Sequence, residues 1–315
     1  MSMSVSSVNA ITVDKRNRIW VSGYGGYGAF NIIDRKSEKI KIVHNTKIGG
    51  ISQFHLDKEH PHDIMWLLIN NNSQQVIKYD IKNEKIIKIY NFIKGGILFF
   101  DIVEDENHVL WLATNRGVIE FSKLTEKFKI HDKFKPDDLM DDFNTVYALQ
   151  LDQNNKMWVG TQHGLYLLNR QTGGFNTYFK DRDGSNGVSH SYILDMEKDN
   201  SGNLWLATTK GLFKFDEAEK KFSHYVVKYD MVSDLIISIE KDQKGNLWMG
   251  TNRGLSMLNL ETLKFTHYEL DDGLQSNDFS QGASAVSESG ELLFGGIDGF
   301  NVFNPEEIVK NIHQQ

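Results

Sequence analysis

Short runs of apolar and β-branched residues, about five positions long, alternate along the chain with polar turn residues. In the most regular stretch these runs span residues 235–240, 247–250, 255–258 and 264–268. Runs of this length, bounded by Asp, Asn, Gly or Lys, are typical of β-strands that are joined by tight turns. The pattern therefore predicts four antiparallel strands in succession.

This four-strand unit recurs along the whole chain and carries one tryptophan per copy. The six tryptophans are separated by 46, 45, 47, 47 and 43 residues, and Phe294 follows after another 46. Such a period indicates an array of small units that bury their apolar faces against each other. We predict an all-β fold, a seven-bladed β-propeller with four-stranded antiparallel blades, as one domain over residues 1–315. The blades are expected at about 5–45, 50–92, 96–132, 144–180, 191–228, 233–270 and 280–312.

Turn residues stand at fixed distances from the key aromatic residue of each unit. Six positions before it we expect an acidic residue that accepts backbone hydrogen bonds and holds the hairpin. These residues are Asp14, Asp105, Asp152, Asp199, Asp242 and Glu288. Six positions after it we expect a glycine in a tight turn with positive φ. These glycines are Gly26, Gly117, Gly164, Gly211 and Gly254.

A second aromatic series follows the first and is predicted to pack between neighbouring blades. Its members are Phe128, Phe175, Phe222 and Phe265, with Tyr178, Tyr225 and Tyr268 three positions later in three units. The last unit lacks a good fourth strand after residues 300–303. Either residues 308–312 supply that strand, or the seventh blade keeps an open edge.

Composition narrows the function classes. The net charge is 35 − 42 = −7 and no basic block is present, which argues against a nucleic acid or an anionic membrane surface as partner. The chain contains no cysteine, so disulfides, cysteine catalysis and thiolate metal sites are excluded. No apolar run approaches the length that spans a bilayer, and residues 1–7 show no secretory signal. The chain is expected to be cytosolic or an excised piece.

Residues 204–213, with the sequence LWLATTKGLF, and their copies resemble the two-component regulator propeller repeat. Residues 291–305 resemble the final propeller repeat of the same sensors. The resemblance implies the periplasmic sensor region of a hybrid two-component system, a class that detects oligosaccharides in gut Bacteroidetes. It also implies an immunoglobulin-like module, a membrane helix and a kinase, which this chain does not contain. Unit two departs most from the repeat, at residues 70–75. In unit one, residues 22–28 stand where the repeat has a turn that begins with threonine.

The implied partners are an oligosaccharide or other small ligand, neighbouring propeller and immunoglobulin-like domains of one receptor, and a possible second copy of the chain. No cofactor, metal or catalytic residue is expected for the propeller itself. A protein–protein scaffold without a small ligand is the first alternative. The second is a magnesium-dependent lyase of the streptogramin-lyase type, in which His163 and His190 act as acid and base.

The turns between second and third strands are expected to form one rim, and the rim is the predicted binding surface. Aromatic rings stack on the apolar faces of sugars, while amide and guanidinium groups form paired hydrogen bonds with hydroxyl groups. Because the turns of blades one and two depart from the repeat, we expect the ligand to bind at these two turns. The candidate ligand-binding residues are Tyr24, Tyr27, Asn71, Gln74, Arg116, Gln162 and Arg253.

Two weaker candidates for metal binding are interpreted as loops. Residues 181–187 begin like a calcium loop, but Tyr192 stands where such a loop requires a glutamate. His60 and His62 lack a third ligand that is close in sequence.

Overall fold

A computed structural model of the protein describes residues 3, 6–24, 29–44, 50–70, 74–91, 96–132, 144–152, 156–178, 191–225 and 231–308. The chain forms seven antiparallel sheets in sequence order, each built from consecutive strands. Six sheets have four strands, and the seventh has three within the described residues. The prediction of a seven-bladed β-propeller is confirmed. Among the described residues, no helix is long and apolar enough to cross a membrane.

The strands of each blade follow one another from the propeller axis outwards. The first strands are β1 (Ser7–Val13), β5 (Ile51–Leu56), β9 (Phe99–Glu104), β13 (Val146–Leu151), β17 (Ile193–Lys198), β21 (Ile236–Lys241) and β25 (Phe279–Val286). The second strands are β2 (Arg18–Tyr24), β6 (Ile64–Ile69), β10 (Val109–Thr114), β14 (Met157–Thr161), β18 (Leu204–Thr208), β22 (Leu247–Thr251) and β26 (Leu292–Gly296).

The third and fourth strands complete the blades on the outside. The third strands are β3 (Ala29–Asp34), β7 (Gln75–Asp80), β11 (Gly117–Ser122), β15 (Gly164–Leu168), β19 (Gly211–Asp216), β23 (Gly254–Asn259) and β27 (Gly299–Phe303). The fourth strands are β4 (Lys39–His44), β8 (Lys85–Asn91), β12 (Phe128–His131), β16 (Phe175–Thr177), β20 (Lys221–Tyr225) and β24 (Lys264–Tyr268).

The ring closes by direct packing of the first blade on the last. Each first strand contacts the first strands of both neighbouring blades, and β1 contacts β25. A bidentate ion pair supports this junction, because two guanidinium nitrogens of Arg35 each lie 2.6 Å from a carboxylate oxygen of Glu291. Ile308 packs on the cluster between blades six and seven, while residues 309–312 lie outside the described part of the chain.

The hydrophobic core is divided into seven clusters, one between each pair of neighbouring blades. The six tryptophans each lie in a cluster shared with the following blade and are at most 2% exposed. Tyr178 illustrates the second aromatic series, since it contacts Trp158 of its own blade and Phe215 of the next. Phe128 departs from that series, because it is 39% exposed on an outermost strand.

The acidic turn residues do more than hold the hairpins. Asp242 Oδ1 accepts the backbone N–H groups of Lys244 and Asn246, whereas Oδ2 accepts the indole N–H of Trp248 at 2.9 Å. The same bond joins Trp20, Trp111 and Trp205 to the acid six positions before them, and in blade two it joins Trp66 to Asp57 nine positions before. The carboxylate therefore ties each of these turns to the buried ring behind it.

The seventh unit is shifted by one residue from the predicted register. Counting back six positions from Gly299, as from Gly254 to Trp248, leads to Leu293 and not to Phe294. Leu293 packs towards blade one and Phe294 towards blade six. Ser287, and not Glu288, accepts the turn hydrogen bond, from the backbone N–H of Glu291. Side chains alternate between the faces of a strand, so a one-residue slip exchanges the two neighbours.

Candidate functional site: the mouth of the central channel

Every first strand carries a β-bulge near its beginning, at the face where the chain enters each blade. In blade four, for example, Val146 pairs with Thr161 and Ala148 with Gly160, so Tyr147 is left without an opposite residue. Bulges redirect a side chain and interrupt pairing next to binding sites. The bulge residues are Asn9, Ser52, Phe100, Tyr147, Leu194, Ile237 and, in blade seven, the longer stretch 280–283.

These residues surround one end of the channel along the propeller axis, which we call the mouth. Around the ring they fall into two arcs of different chemistry. Blades seven, one and two contribute hydroxyl and amide groups, whereas blades three to six contribute Phe100, Tyr147, Leu194 and Ile237. The mouth therefore has a polar arc and an apolar arc that face each other.

A cleft of about 360 Å³ lies in the polar arc and reaches the first aromatic residue of the apolar arc. It is lined by Asn9, Gly23, Gly50, Ser52, Asn70, Phe99, Phe100, Ser280 and Gln281. None of these described lining residues carries a charge. The Oδ1 atom of Asn9 is buried and has no hydrogen-bond partner among the described residues.

The bulge of blade seven extends across the mouth. The Nε2 atom of Gln281 donates to the carbonyl oxygen of Leu194 in blade five at 3.3 Å. Gly282 has φ +75°, and a Cβ atom there would lie 2.5 Å from the Nε2 atom of Gln53 in blade two. The positive φ favours glycine at this position, and any larger residue would also have to displace the end of the Gln53 side chain. The last blade thus contacts blades two and five over the axis, and its residues Ser280 and Gln281 line the cleft.

Carboxyl groups lie on the first strands one to three residues beyond the bulges. Burial raises the pKa of Asp101 and Glu197, and it raises the pKa of Asp195 to about 8. Burial and the nearby charges of Asp195 and Glu197 raise the pKa of Glu240 well above its ordinary value. These carboxyl groups are only partly buried from solvent on the innermost strands, and an added negative charge beside them would be unfavourable.

The apolar arc continues outwards from the cleft as a row of aromatic rings. Phe100 and Tyr147 make an edge contact with centroids 5.0 Å apart. Tyr147 and Tyr192 are stacked, with centroids 5.7 Å apart and ring planes 18° apart. Tyr192 is 42% exposed. Neither tyrosine was among the residues predicted from the sequence.

The turns between second and third strands lie at the mouth face and divide by blade. In blades three to six a threonine ends the second strand. Its hydroxyl oxygen accepts the backbone N–H group of the residue two positions later, and its hydroxyl group donates to the backbone carbonyl of the glycine three positions later. The four glycines have φ between +104° and +127°. In blades one, two and seven Gly23, Ile69 and Gly296 replace that threonine. The irregular turns thus adjoin the polar arc.

Several polar residues of these turns hold neighbouring blades together. Asn70 exchanges two hydrogen bonds of 2.8 Å with the backbone of Phe99 in the next blade, whereas Asn115 bonds Gly96 and Leu98 at the start of its own blade. Gln74 is 9% exposed, and its side-chain oxygen accepts the backbone N–H group of Gly96. Some polar residues of the rim therefore serve to hold neighbouring blades together.

The predicted rim residues are only partly described. Arg116, Gln162 and Arg253 lie in the turns of blades three, four and six at the mouth face. Their backbones share the threonine turn, but they are not lining residues of the cleft. Tyr27 and Asn71 lie outside the described residues, as does the side chain of Tyr24. Among the enzyme candidates, His163 lies 2.9 Å from the Nε2 atom of Gln162, and His190 lies outside the described part.

The opposite face carries the metal candidate around His60. One ligand atom each from Asp57, Glu59 and His60 lie within 4.8 Å of one another. The ammonium group of Lys123 is 2.8 Å from Asp57 and 3.5 Å from Glu59, so an internal cation already lies beside both carboxylates of the group. The loop at residues 181–187 lies outside the described residues.

Comparisons with known proteins find a matching repeat family and several similar folds. The model of the two component regulator propeller matches residues 142–163, 187–210 and 230–253. The extracellular domain of a putative hybrid two-component system from B. thetaiotaomicron is similar with TM-score 0.80 and 22% identity, over 97% of this chain and 40% of that one. A second such domain from the same organism has TM-score 0.75 and 15% identity, over 96% and 38%.

A further similar structure is PorZ, a surface component of the type-IX secretion system of Porphyromonas gingivalis. Its TM-score is 0.62 at 15% identity, over 94% of this chain and 46% of PorZ. No curated protein matches the sequence. The chain thus spans about two fifths of the length of the solved structures it resembles. At these identities the likeness shows the fold alone.

Proposed function

The chain carries repeats of the two-component regulator propeller family, and we propose that it is a ligand-sensing propeller domain of a periplasmic hybrid two-component sensor. One observation carries this proposal. The uncharged cleft of about 360 Å³ lies at the mouth beside blades seven, one and two, where the turns depart from the regular repeat. A turn that only reverses the chain needs no such departure, so the change is consistent with a binding role.

The chemistry of the mouth favours an oligosaccharide as the ligand. Hydroxyl and amide groups of Ser52, Ser280 and Gln281 provide both donors and acceptors, as sugar hydroxyl groups require. Phe100 adds an aromatic surface to the cleft. A few hydrogen bonds and one stacking contact correspond to micromolar binding, about −8 kcal/mol, which suits a reversible sensor. The predicted residues Tyr24, Tyr27, Asn71 and Gln74 follow Gly23 and Asn70 in the sequence, and Gly23 and Asn70 line the cleft.

The rest of the receptor is part of the same proposal. The extracellular domains that resemble this chain are more than twice its length. We infer that neighbouring propeller and immunoglobulin-like domains, a membrane helix and a histidine kinase complete the protein, and that a second copy pairs with it for signalling. The propeller itself acts by binding and not by catalysis, and it works in the periplasm.

A panel titration tests the proposal. Isothermal titration of the chain against cello-, xylo-, manno-, malto- and chito-oligosaccharides, together with chondroitin and heparin fragments, is expected to find at least one micromolar ligand. The double variant Tyr24→Ala, Tyr27→Ala should keep the thermal stability of the parent and weaken that binding about tenfold or more.

Three other results would contradict the proposal. If no glycan binds but a neighbouring receptor domain does, the chain is a scaffold. If Tyr24→Ala, Tyr27→Ala leaves binding unchanged, the irregular turn of blade one is not involved. Magnesium-dependent cleavage of a panel member that requires His163 and His190 would identify an enzyme instead.

A further inference from the structure

The apolar arc of the mouth ends in an exposed ring beyond the cleft. Tyr192 is 42% exposed, while Tyr147 covers one of its faces at a centroid distance of 5.7 Å. Its exposed area therefore belongs to the remaining face and edge. A large aromatic surface of this kind beside a polar cleft is the usual platform for a ring with one apolar face.

Hydrogen bonds and packing hold this platform in place. The backbone N–H group of Tyr192 donates to Thr209 Oγ1 at 3.1 Å, and the N–H group of Thr209 donates to the carbonyl of Tyr192 at 3.2 Å. Tyr147 beneath it packs edge-on against Phe100. Little conformational entropy remains to be lost when a ligand stacks there, because the ring is already oriented.

The platform is continuous with the cleft but separate from it. Phe100 lines the cleft, and two ring-to-ring steps of 5.0 and 5.7 Å lead from it to Tyr192. One sugar ring among Asn9, Ser52 and Gln281 cannot also cover Tyr192. A ligand that uses both surfaces needs at least two linked rings.

The cleft offers no cation to an acidic sugar, whereas Arg116 and Arg253 lie farther out in the turns at the mouth face. The described residues that line the cleft are uncharged. Asp101, Asp195 and Glu240 lie on the first strands beyond the bulges, and burial raises the pKa of each. A carboxylate or sulfate group brought into the mouth would lose hydration and find no cation in the cleft lining, and it would raise the cost of ionising these carboxyl groups.

We propose that Tyr192 forms a second sugar subsite and that the ligand is a neutral oligosaccharide of two or more units, with one unit in the cleft and a further unit stacked on Tyr192. This inference rests on the proposed sensing function. It adds a residue, a minimum length and a charge class that the repeat pattern does not provide.

Titrations with a length series test the subsite. The full chain and three variants, Tyr192→Ala, Tyr192→Phe and Phe128→Ala, are titrated with one to four units of the neutral series bound by the parent. Phe128 is the matched control, since it is also an exposed aromatic residue but lies on an outermost strand. Thermal melting of each variant confirms that the fold is retained.

We expect Tyr192→Ala to weaken binding of two or more units about tenfold or more, while Tyr192→Phe and Phe128→Ala stay within about twofold. The monosaccharide, where its heat is measurable, should bind Tyr192→Ala and the parent equally. Unchanged binding of the longer ligands by Tyr192→Ala would overturn the subsite. Tighter binding of a chondroitin or heparin fragment than of every neutral series would overturn the charge class. If the parent binds no glycan, the sensing function itself is wrong.

Discussion

A hydrogen bond between a turn carboxylate and a buried indole N–H group recurs in most blades of this protein. In blade five Asp199 accepts the N–H groups of Ser201 and Asn203 and the indole N–H of Trp205 at 2.9 Å. A hydrogen bond to a charged acceptor is stronger than a neutral one, and its loss leaves part of a buried charge unsatisfied. The tryptophan therefore contributes through its nitrogen as well as through its volume.

Replacing the indole by a phenyl ring at two positions measures that bond. Trp205 and Trp158 are both at most 1% exposed, but the indole nitrogen of Trp158 has no hydrogen-bond partner among the described residues. Both Trp→Phe variants lose the same volume, and only Trp205→Phe removes a partner of Asp199. Chemical denaturation should show Trp205→Phe to be the less stable variant by ~1–3 kcal/mol. Equal losses would mean that the bond contributes nothing.

Spacing along the sequence predicts the residues that recur in each blade, but it does not identify binding-surface residues that occur in one blade only. The interval from Trp248 to Gly254 identifies the blade, and positive φ at Gly254 agrees with it. In the last blade the spacing of the tryptophans points to Phe294 as the key residue. The glycine spacing, counted back six positions from Gly299, points to Leu293 instead. Tyr147 and Tyr192 resemble ordinary strand residues in the sequence, because the bulge that turns Tyr147 to the mouth depends on strand pairing.

The turn between second and third strands is the element that varies with blade position. In blade six Thr251 Oγ1 donates to the carbonyl of Gly254 at 2.8 Å and accepts the N–H group of Arg253 at 2.9 Å. Gly254 has φ +108°, and its N–H group donates to the carbonyl of Asn277 at the next blade. The regular turn therefore joins two blades, whereas blades seven, one and two are built differently beside the cleft.

Alanine substitutions separate backbone strain from crowding in this turn. A Cβ atom at position 254 would lie 2.3 Å from the carbonyl oxygen of Tyr268, while at Gly202, with φ +85°, it would meet no atom within 4 Å. Gly202→Ala should cost only the left-handed strain, ~1–2 kcal/mol. Gly254→Ala should exceed that by ~1–3 kcal/mol because the backbone must also move. Equal losses of unfolding free energy in the two variants would argue against the crowding.

At the scale of the whole molecule, the mouth is the place where the first and last blades line one cleft. Asn9 of blade one, Ser52 of blade two and Gln281 of blade seven line one cleft, and Gln281 also reaches Leu194 in blade five. A ligand in the cleft adds contacts across the junction that closes the ring. Chain order predicts that junction, but the sequence could not show that the blade-seven bulge crosses the axis.

Blocking the cleft is the most direct measurement of this account. A side chain at Gly50 would begin in ordinary contact, with its Cβ atom 3.7 Å from the carbonyl oxygen of Asn70, and Gly50 lines the cleft. Gly174→Leu is the matched control, because Gly174 lies in an exposed turn of the opposite face with similar space. Titration of the parent's glycan ligand should show binding reduced at least about a hundredfold in Gly50→Leu and unchanged in Gly174→Leu, at equal melting temperatures. Unchanged affinity in Gly50→Leu would contradict the assignment of the mouth as the sensing site.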